Sequence, residues 1–296
     1  MKILLVTQWY SPEPAQVLAD FVQSMQAAGH EVAVLTGFPN YPSGKLFPGY
    51  RLRCWQKETI DGIPVVRVPL YPDHGRSGLR RSINYLSFAL SAAFLGPWLV
   101  RRPDVIHAYH PPLTIGWPAW LLSRLMRVPF TYEVQDLWPE TLRATGMVTR
   151  PRVLSLVGRI AKWVYRRAAM IRVISPGFRE NLIAKGVPRD KIRVISNCVD
   201  NELYRPREPD RERAEELGLA GRFNVMFAGT IGLAQGLDTL LDAAASLADV
   251  PAVQFVLVGD GADEARRVGA VDDLKQLIAQ RIQADQAQKI LHAYWP

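Results

Sequence analysis

Asp104-Val-Ile-His-Ala-Tyr109, Leu113–Met126 and Phe130-Thr-Tyr-Glu-Val-Gln135 follow one another with only short breaks. The outer two are apolar runs of strand length, and the middle one has the apolar periodicity of a helix. Strand, helix and strand in that order build a parallel sheet covered by helices. The pattern extends both ways. Upstream, Lys2–Thr7 reads as a strand, Ala15–Ala28 as a helix stopped by Gly29, and Glu31–Thr36 and Ile63–Pro69 as further strands. Gly37–Lys57 holds Pro39, Pro42, Gly44, Pro48 and Gly49 and reads as a long loop, a feature that in compact domains usually carries function. Downstream, Val153–Ala168 reads as a helix, Met170–Ser175 as a strand, Pro176–Ala184 as a helix and Ile192–Ser196 as a strand. The fold class is therefore α/β.

Asn201–Asp210 sets Pro206 and Pro209 among charges and reads as a linker. A second series follows: Phe223–Ala228 as strand, Leu237–Leu247 as helix, Val253–Val258 as strand and Gly259-Asp-Gly261 as turn. This predicts two Rossmann-like domains facing a cleft, residues 1–203 and 204–296. Asp272–Leu291 is almost free of β-branched residues and reads as helical, so no further strand is expected. With two strands the second domain is expected to be incomplete, either short by design or cut or shifted out of frame near residue 265.

The 296 residues suit two domains of roughly 100–200 residues each. At 48% hydrophobic and 22% charged residues the chain can bury a core, which argues against disorder. Two cysteines, Cys54 and Cys198, exclude a disulfide framework and read as free thiols of a reducing compartment. The opening run ends at Val6 without a small-residue cleavage site and reads as a buried strand, not as a signal peptide. Of the 36 Lys+Arg and 28 Asp+Glu, residues 76–172 hold 15 and 4, a net +11, so the rest sums to −3. A field so localised asks for an anionic partner. Arg76–Arg102 has five arginines and no acid around Tyr85, Phe88, Phe94 and Trp98, and Arg152–Arg167 has four arginines and Lys162 around Leu156, Val157, Trp163 and Val164. Basic flanks on apolar aromatic segments point to an anionic membrane surface. Nucleic acid fits less well, because the basic segments are so apolar and no nucleic-acid motif is present. Ile83–Val100, interrupted by Asn84, Ser87, Ser91, Gly96 and Pro97, is marginal as a membrane span.

Candidate site residues gather where strands end. Asp136 stands at the mouth of the strand that carries Glu133 and Gln135, a place for general-base or hydroxyl-orienting chemistry, though Asp136 or Glu140 could instead cap the next helix. Glu13 lies between Pro12 and Pro14, either an aimed carboxylate or a solvated turn. His110 follows a strand and suits a hydrogen bond at the site; His107, His110 and Glu133 lack a further histidine at metal spacing, so no metal is expected. Gly229, Thr230, Gly232, Gln235 and Gly236 lie between a strand and a helix, where glycines let the backbone approach a phosphate. Gly259, Asp260 and Gly261 end the next strand on the same sheet edge.

Trp9-Tyr-Ser-Pro-Glu13-Pro14, Leu35-Thr-Gly-Phe-Pro-Asn-Tyr-Pro42, Val134-Gln-Asp-Leu-Trp-Pro-Glu140, Val173-Ile-Ser-Pro-Gly177, Gly229-Thr-Ile-Gly232 with Gln235-Gly236, and Leu257-Val-Gly-Asp-Gly261 together resemble the family-4 glycosyltransferases of the two-domain GT-B fold. The nearest branch is that of the fucosamine and colanic-acid-type transferases of bacterial surface polysaccharide synthesis, lipopolysaccharide or exopolysaccharide. The resemblance covers about residues 1–265. It implies transfer of a sugar from a nucleotide diphosphate sugar, UDP- or GDP-linked, to a lipid-linked or oligosaccharide acceptor, without metal or cofactor. The diphosphate would sit near Gly229–Gly232, and the acceptor on the first domain beside the membrane helices, on the cytoplasmic face of the plasma membrane. Two departures stand out. Gln235 replaces a lysine common in the family, and no acidic donor-binding motif follows Gly261, so about a quarter of the family's length is expected to be missing. A non-catalytic membrane-associated protein that retains the fold is the competing expectation.

Overall fold

In the computed structural model, which describes residues 1–75, 77–197, 205–206, 208, 210–259 and 277–279, the chain divides into two compact units. One comprises Met1–Arg143 and Met147–Cys198, the other Ala144–Gly146 and Val199–Pro296. The chain runs through β1 (Lys2–Val6), α1 (Gln16–Ala27), β2 (Glu31–Gly37), β3 (Gln56–Ile60), β4 (Ile63–Val68), α2 (Gly78–Leu99), β5 (Val105–Tyr109), α3 (Gly116–Met126), β6 (Phe130–Val134), α4 (Glu140–Ala144), α5 (Pro151–Arg167), β7 (Met170–Val173), α6 (Pro176–Ala184) and β8 (Ile192–Val194). The second unit adds α7 (Arg211–Glu216), β9 (Phe223–Ala228), α8 (Asp238–Ser246), β10 (Val253–Val258) and β11 (Leu277–Ala279).

The first unit is an eight-stranded sheet ordered β3-β4-β2-β1-β5-β6-β7-β8, parallel except for the β3–β4 pair. Side chains alternate across it. Leu4 and Val6 face a core completed by Phe88 and Ala92 of α2, Ala119 and Leu122 of α3, Val164 and Tyr165 of α5 and Leu182 of α6. Ile3 and Leu5 face the other way onto Leu18 and Val22 of α1. Strands buried on both faces read as unbroken apolar runs, which is why β1 and β2 are legible in the sequence. The second unit repeats the device. Phe255 and Leu257 pack with Leu237 and Ala244 on one face, and Val256 and Val258 with Ala214 and Leu219 on the other.

Two strands depart from expectation. β3 lies in and beyond the stretch read as a long loop. Its residues alternate between half-buried and exposed, so no apolar run announces it; the signal was Asp61-Gly62, both with positive φ (50° and 78°), the two-residue turn that closes a hairpin. β11 lies inside the segment read as helical. It pairs in parallel with β10, Phe255 opposite Leu277, because an open strand edge offers backbone partners that local propensity does not weigh.

α2 is 22 residues long, about 33 Å, and starts where Ser77 accepts the Arg80 N–H. It buries Asn84, Phe88, Ala89, Ala92, Ala93 and Gly96 against the sheet. Among the described residues no helix is long and apolar enough to cross a membrane.

Candidate active site

The parallel strands of the first unit all end on one edge, and their loops gather there. β1 runs on into Thr7-Gln8-Trp9-Tyr10. Gln8 is buried and donates from Nε2 to Asn84 Oδ1 (2.5 Å); Asn84 in turn donates to Asn40 Oδ1 (3.3 Å) and to the Tyr71 carbonyl (2.6 Å). This chain of amides ties the loops after β1, β2 and β4 to α2.

Glu13 serves the same frame. Its carboxylate is buried and accepts the backbone N–H groups of Tyr10 (3.1 Å), Asn40 (2.9 Å) and Tyr41 (2.8 Å). Burial raises its pKa to about 7, against the lowering pull of those three amides. Read as either an aimed carboxylate or a solvated turn, Glu13 is not solvated: the group fastens two loops together. Arg67 on β4, wholly buried, does likewise. It donates to Glu58 Oε1 (2.5 Å), the Gly37 carbonyl (2.9 Å) and the Ser11 carbonyl (2.5 Å), and lies 5.0 Å over the Tyr50 ring.

On this frame stands an aromatic cluster that the sequence reading missed. Trp9 and Tyr41 have ring centroids 4.8 Å apart, Tyr41 meets His74 edge-on at 4.7 Å, and Trp9 meets Tyr85 at 6.3 Å. Gln8 Oε1, Trp9 Nε1 and His74 Nδ1 are buried without a hydrogen-bond partner among the described residues. Burial, with Arg81 assisting, lowers the His74 pKa to about 4, so its ring is neutral near pH 7. Aromatic faces beside unpaired polar atoms suit a ligand rich in both C–H faces and hydroxyls.

β5, β6 and β7 contribute a second layer. Glu133 on β6 is fully buried; Arg172 on β7 donates to it at 2.6 Å, His107 Nε2 on β5 lies 3.1 Å away, and Gln135 Nε2 donates to its other oxygen. Burial pushes this carboxyl up, but His107, Arg172 and Gln135 together outweigh burial and hold it below the ordinary range. An ionised carboxylate only accepts, so His107 Nε2 carries a hydrogen toward it, with Nδ1 2.8 Å from Thr131 Oγ1. Gln135 also exchanges hydrogen bonds with Asn197 (3.0 and 2.9 Å). Glu133 and Gln135 do share a face, but both Glu133 oxygens are engaged within the protein. With both oxygens so engaged, Glu133, a candidate catalytic residue by its place on β6, holds Arg172, His107 and Gln135 in position.

Asp136 differs. It is half-buried just beyond β6, and among the described residues no hydrogen bond or ion pair engages its carboxylate. Burial alone raises its pKa, and its charge is felt by Tyr85 and Tyr109. His110 is nearly wholly buried, edge-on to Trp138 at 5.8 Å, with both ring nitrogens unpartnered among the described residues. Burial lowers its pKa to about 3 against the pull of Glu133, which leaves the imidazole neutral. Glu140 pairs with Lys185 Nζ at 2.7 Å.

In the second unit, β9 ends at Ala228, and the next residue, Gly229, donates its N–H to the Val258 carbonyl (2.9 Å). Gly259 has φ 147°, and a Cβ there would overlap the Gly229 carbonyl, so only glycine lets the two strand ends lie this close. Gly229, Thr230, Gln235 and Gly236 are exposed and Gly232 half-buried, next to the first turn of α8. Asp260 and Gly261 lie outside the described residues.

The sequence profile described as a glycosyl transferase 4-like domain matches residues 14–198. The putative colanic acid biosynthesis glycosyl transferase WcaI of Escherichia coli is 28% identical over 280 residues, 90% of this chain and 67% of that protein. A GDP-mannose-dependent alpha-mannosyltransferase of Mycobacterium tuberculosis is 25% identical over 276 residues, 92% of this chain and 66% of that protein. The chain thus spans about two thirds of the length of either relative. Among solved structures, Anabaena Alr3699/HepE in complex with UDP and glucose superposes with a TM-score of 0.63 at 20% identity, over 98% of this chain and 71% of that one. The fold is that of the GT-B glycosyltransferases.

Proposed function

We infer that this chain, which belongs to the glycosyl transferase 4-like family, moves a sugar from a nucleotide diphosphate sugar to a hydroxyl of a saccharide or lipid-linked acceptor in bacterial surface polysaccharide assembly. The observation that carries this reading is the unengaged, half-buried carboxylate of Asp136 on the loop edge that also holds the aromatic cluster and its unpaired polar atoms.

Acceptor sugar rings lie on Trp9, Tyr41 and Tyr85, with Trp9 Nε1, His74 Nδ1 and Gln8 Oε1 taking hydroxyls. Asp136 orients the attacking hydroxyl and receives its proton. The bond from the sugar's anomeric carbon to phosphate oxygen breaks, the bond from that carbon to acceptor oxygen forms, and the nucleoside diphosphate leaves. A carboxylate whose pKa burial has raised is the stronger base. Neutral His110 adds a hydrogen bond without adding charge, and ionised Glu133 fixes the His107 ring behind it. Backbone amides around Gly229–Gly232 and the start of α8 hold the departing diphosphate. The base is uracil or guanine: UDP is what the Anabaena protein holds, and the mycobacterial relative is named for GDP-mannose.

The outer face of α2 carries Leu79, Ile83, Leu86, Leu90, Phe94 and Trp98 at helical spacing, with Leu79 74%, Phe94 64% and Trp98 86% exposed, and Arg101 and Arg102 follow its end. This stripe favours docking on an anionic bilayer, the cytoplasmic face of the plasma membrane, where lipid-linked acceptors reside.

Calorimetric titration with UDP-glucose and with GDP-mannose tests the reading. Heat of binding with one, and release of the matching diphosphate when acceptor lipid extract is added, is the expected result. No heat with either sends the chain to the non-catalytic alternative.

A further inference from the structure

Helices α2, α3 and α5 cover the same side of the first unit's sheet, and a row of aromatic rings crosses them. Phe94 on α2 meets Trp117 on α3 edge-on at 6.2 Å. Trp120, one turn further along α3, meets Trp163 on α5 at 5.0 Å. Arg167 lays its guanidinium over both indoles, 5.9 Å from Trp120 and 5.5 Å from Trp163. α5 bears two outward rows at helical spacing. Exposed Val153, Leu156 and Ile160 lead into Trp163, and Arg152, Arg159, Lys162 and Arg166 run beside them.

Where the rows meet, Arg159, Lys162, Trp163, Arg166 and Arg167 line an open basin of about 520 Å³. No acid lines it, and among the described residues none of its four cations is in an ion pair. Four like charges within about two helical turns repel one another until an anion lies among them. Guanidinium groups present paired donors that match phosphate oxygens. A small soluble anion would use only the charges. The apolar row and the indoles alongside fit the boundary between headgroup and acyl chain, where tryptophan concentrates. We propose that this basin holds the phosphate of an anionic phospholipid, so that α5 recognises a headgroup and α2 supplies the apolar hold. The proposal rests on the membrane-docking reading of α2 and deepens it.

The test is co-sedimentation of the full chain with phosphatidylcholine vesicles, alone and doped with phosphatidylglycerol. Three variants are compared: Lys162→Gln/Arg166→Gln in the basin, Arg51→Gln/Arg53→Gln as an equal loss of exposed charge away from α2 and α5, and Phe94→Ser/Trp98→Ser on the apolar face. All six residues are exposed, and thermal melting confirms that each variant folds. The basin pair is expected to bind doped vesicles about thirtyfold more weakly, and the control pair no more than about fivefold. Equal losses from the two charge pairs overturn the headgroup site and leave α2 docking in place. A serine pair that binds like the wild type, with the basin pair weakened, removes the α2 docking and keeps the headgroup site. A wild-type chain that ignores doped vesicles overturns both.

Discussion

Replacing Glu133 by glutamine removes one charge from the most enclosed part of the first unit. The carboxylate is 0% exposed and the Arg172 side chain 15%, so both sit largely out of water. Removing one partner from a buried pair typically costs about 3–5 kcal/mol, because the other charge is left uncompensated. Here the guanidinium keeps the Ile195 and Ser196 carbonyls at 3.1 and 3.2 Å, and glutamine keeps one accepting oxygen. We therefore expect a cost at or just below the lower end, about 2–3 kcal/mol. The double variant Glu133→Gln/Arg172→Met is expected to be more stable than the single one, since no charge is stranded. Seven of the eight tryptophans precede residue 198, so fluorescence during urea unfolding reports the first unit. The pH dependence gives a second check. The folded carboxyl lies below its ordinary value of 4.5, so its contribution is complete above that pH and is lost as pH falls through the lower folded value. The gap between wild type and Glu133→Gln should narrow in acid. A gap under about 0.5 kcal/mol at pH 7, or one that widens below pH 4.5, would refute the account of Glu133 as an ionised buried partner.

Asp136→Asn should lower turnover by roughly 10²–10⁴ while calorimetric donor affinity stays unchanged; equal turnover removes Asp136 from proton transfer. Because burial raises the Asp136 pKa, the acid limb of wild-type turnover should lie above the ordinary carboxylate range, and a limb at or below 3.8 contradicts this. Glu13 has the opposite sign from Glu133. Its folded value of about 7 lies above 4.5, so it favours folding most in acid and loses that advantage as pH rises between the two. Relative to the wild type, Glu13→Gln should gain stability across that window, by at most about 3 kcal/mol; urea midpoints at either end that keep a constant difference argue against it. Gly259→Ala should destabilise the second unit by about 1–3 kcal/mol and weaken donor binding, leaving the first unit's tryptophan transition in place; unaltered donor affinity would sever the Gly229–Gly259 contact from donor binding.

Legibility differed between strands and loops. β1, β2, β5 and β10 are buried on both faces, and a buried strand must be apolar, so its residues announce it. β3 has one half-buried face and leaves no apolar run, and the three apolar residues of β11 are too few to stand out among helix-favouring neighbours in the sequence. At the site, the loop positions of Asp136, His110 and Gly229 could be read, since each follows a strand. Their environments could not. Nothing adjacent to Glu13 says that Asn40 and Tyr41 will bind it, and nothing near Glu133 says that Arg172 will.

From residues alone came the alternation of strands and helices, the concentration of positive charge in 76–172, and the family resemblance on which the chemistry rests. These are local or summed properties: burial on two faces selects apolar runs, and charge adds wherever it lies. Only the tertiary structure decided which candidate carboxylates are spoken for. Glu13 and Glu133 are filled by groups 27 and 39 residues away, whereas Asp136 takes no partner among the described residues. A parallel sheet brings strand ends together across crossovers of a helix or more, so the partner that neutralises a buried charge is set by sheet order and register, which no short segment of sequence contains.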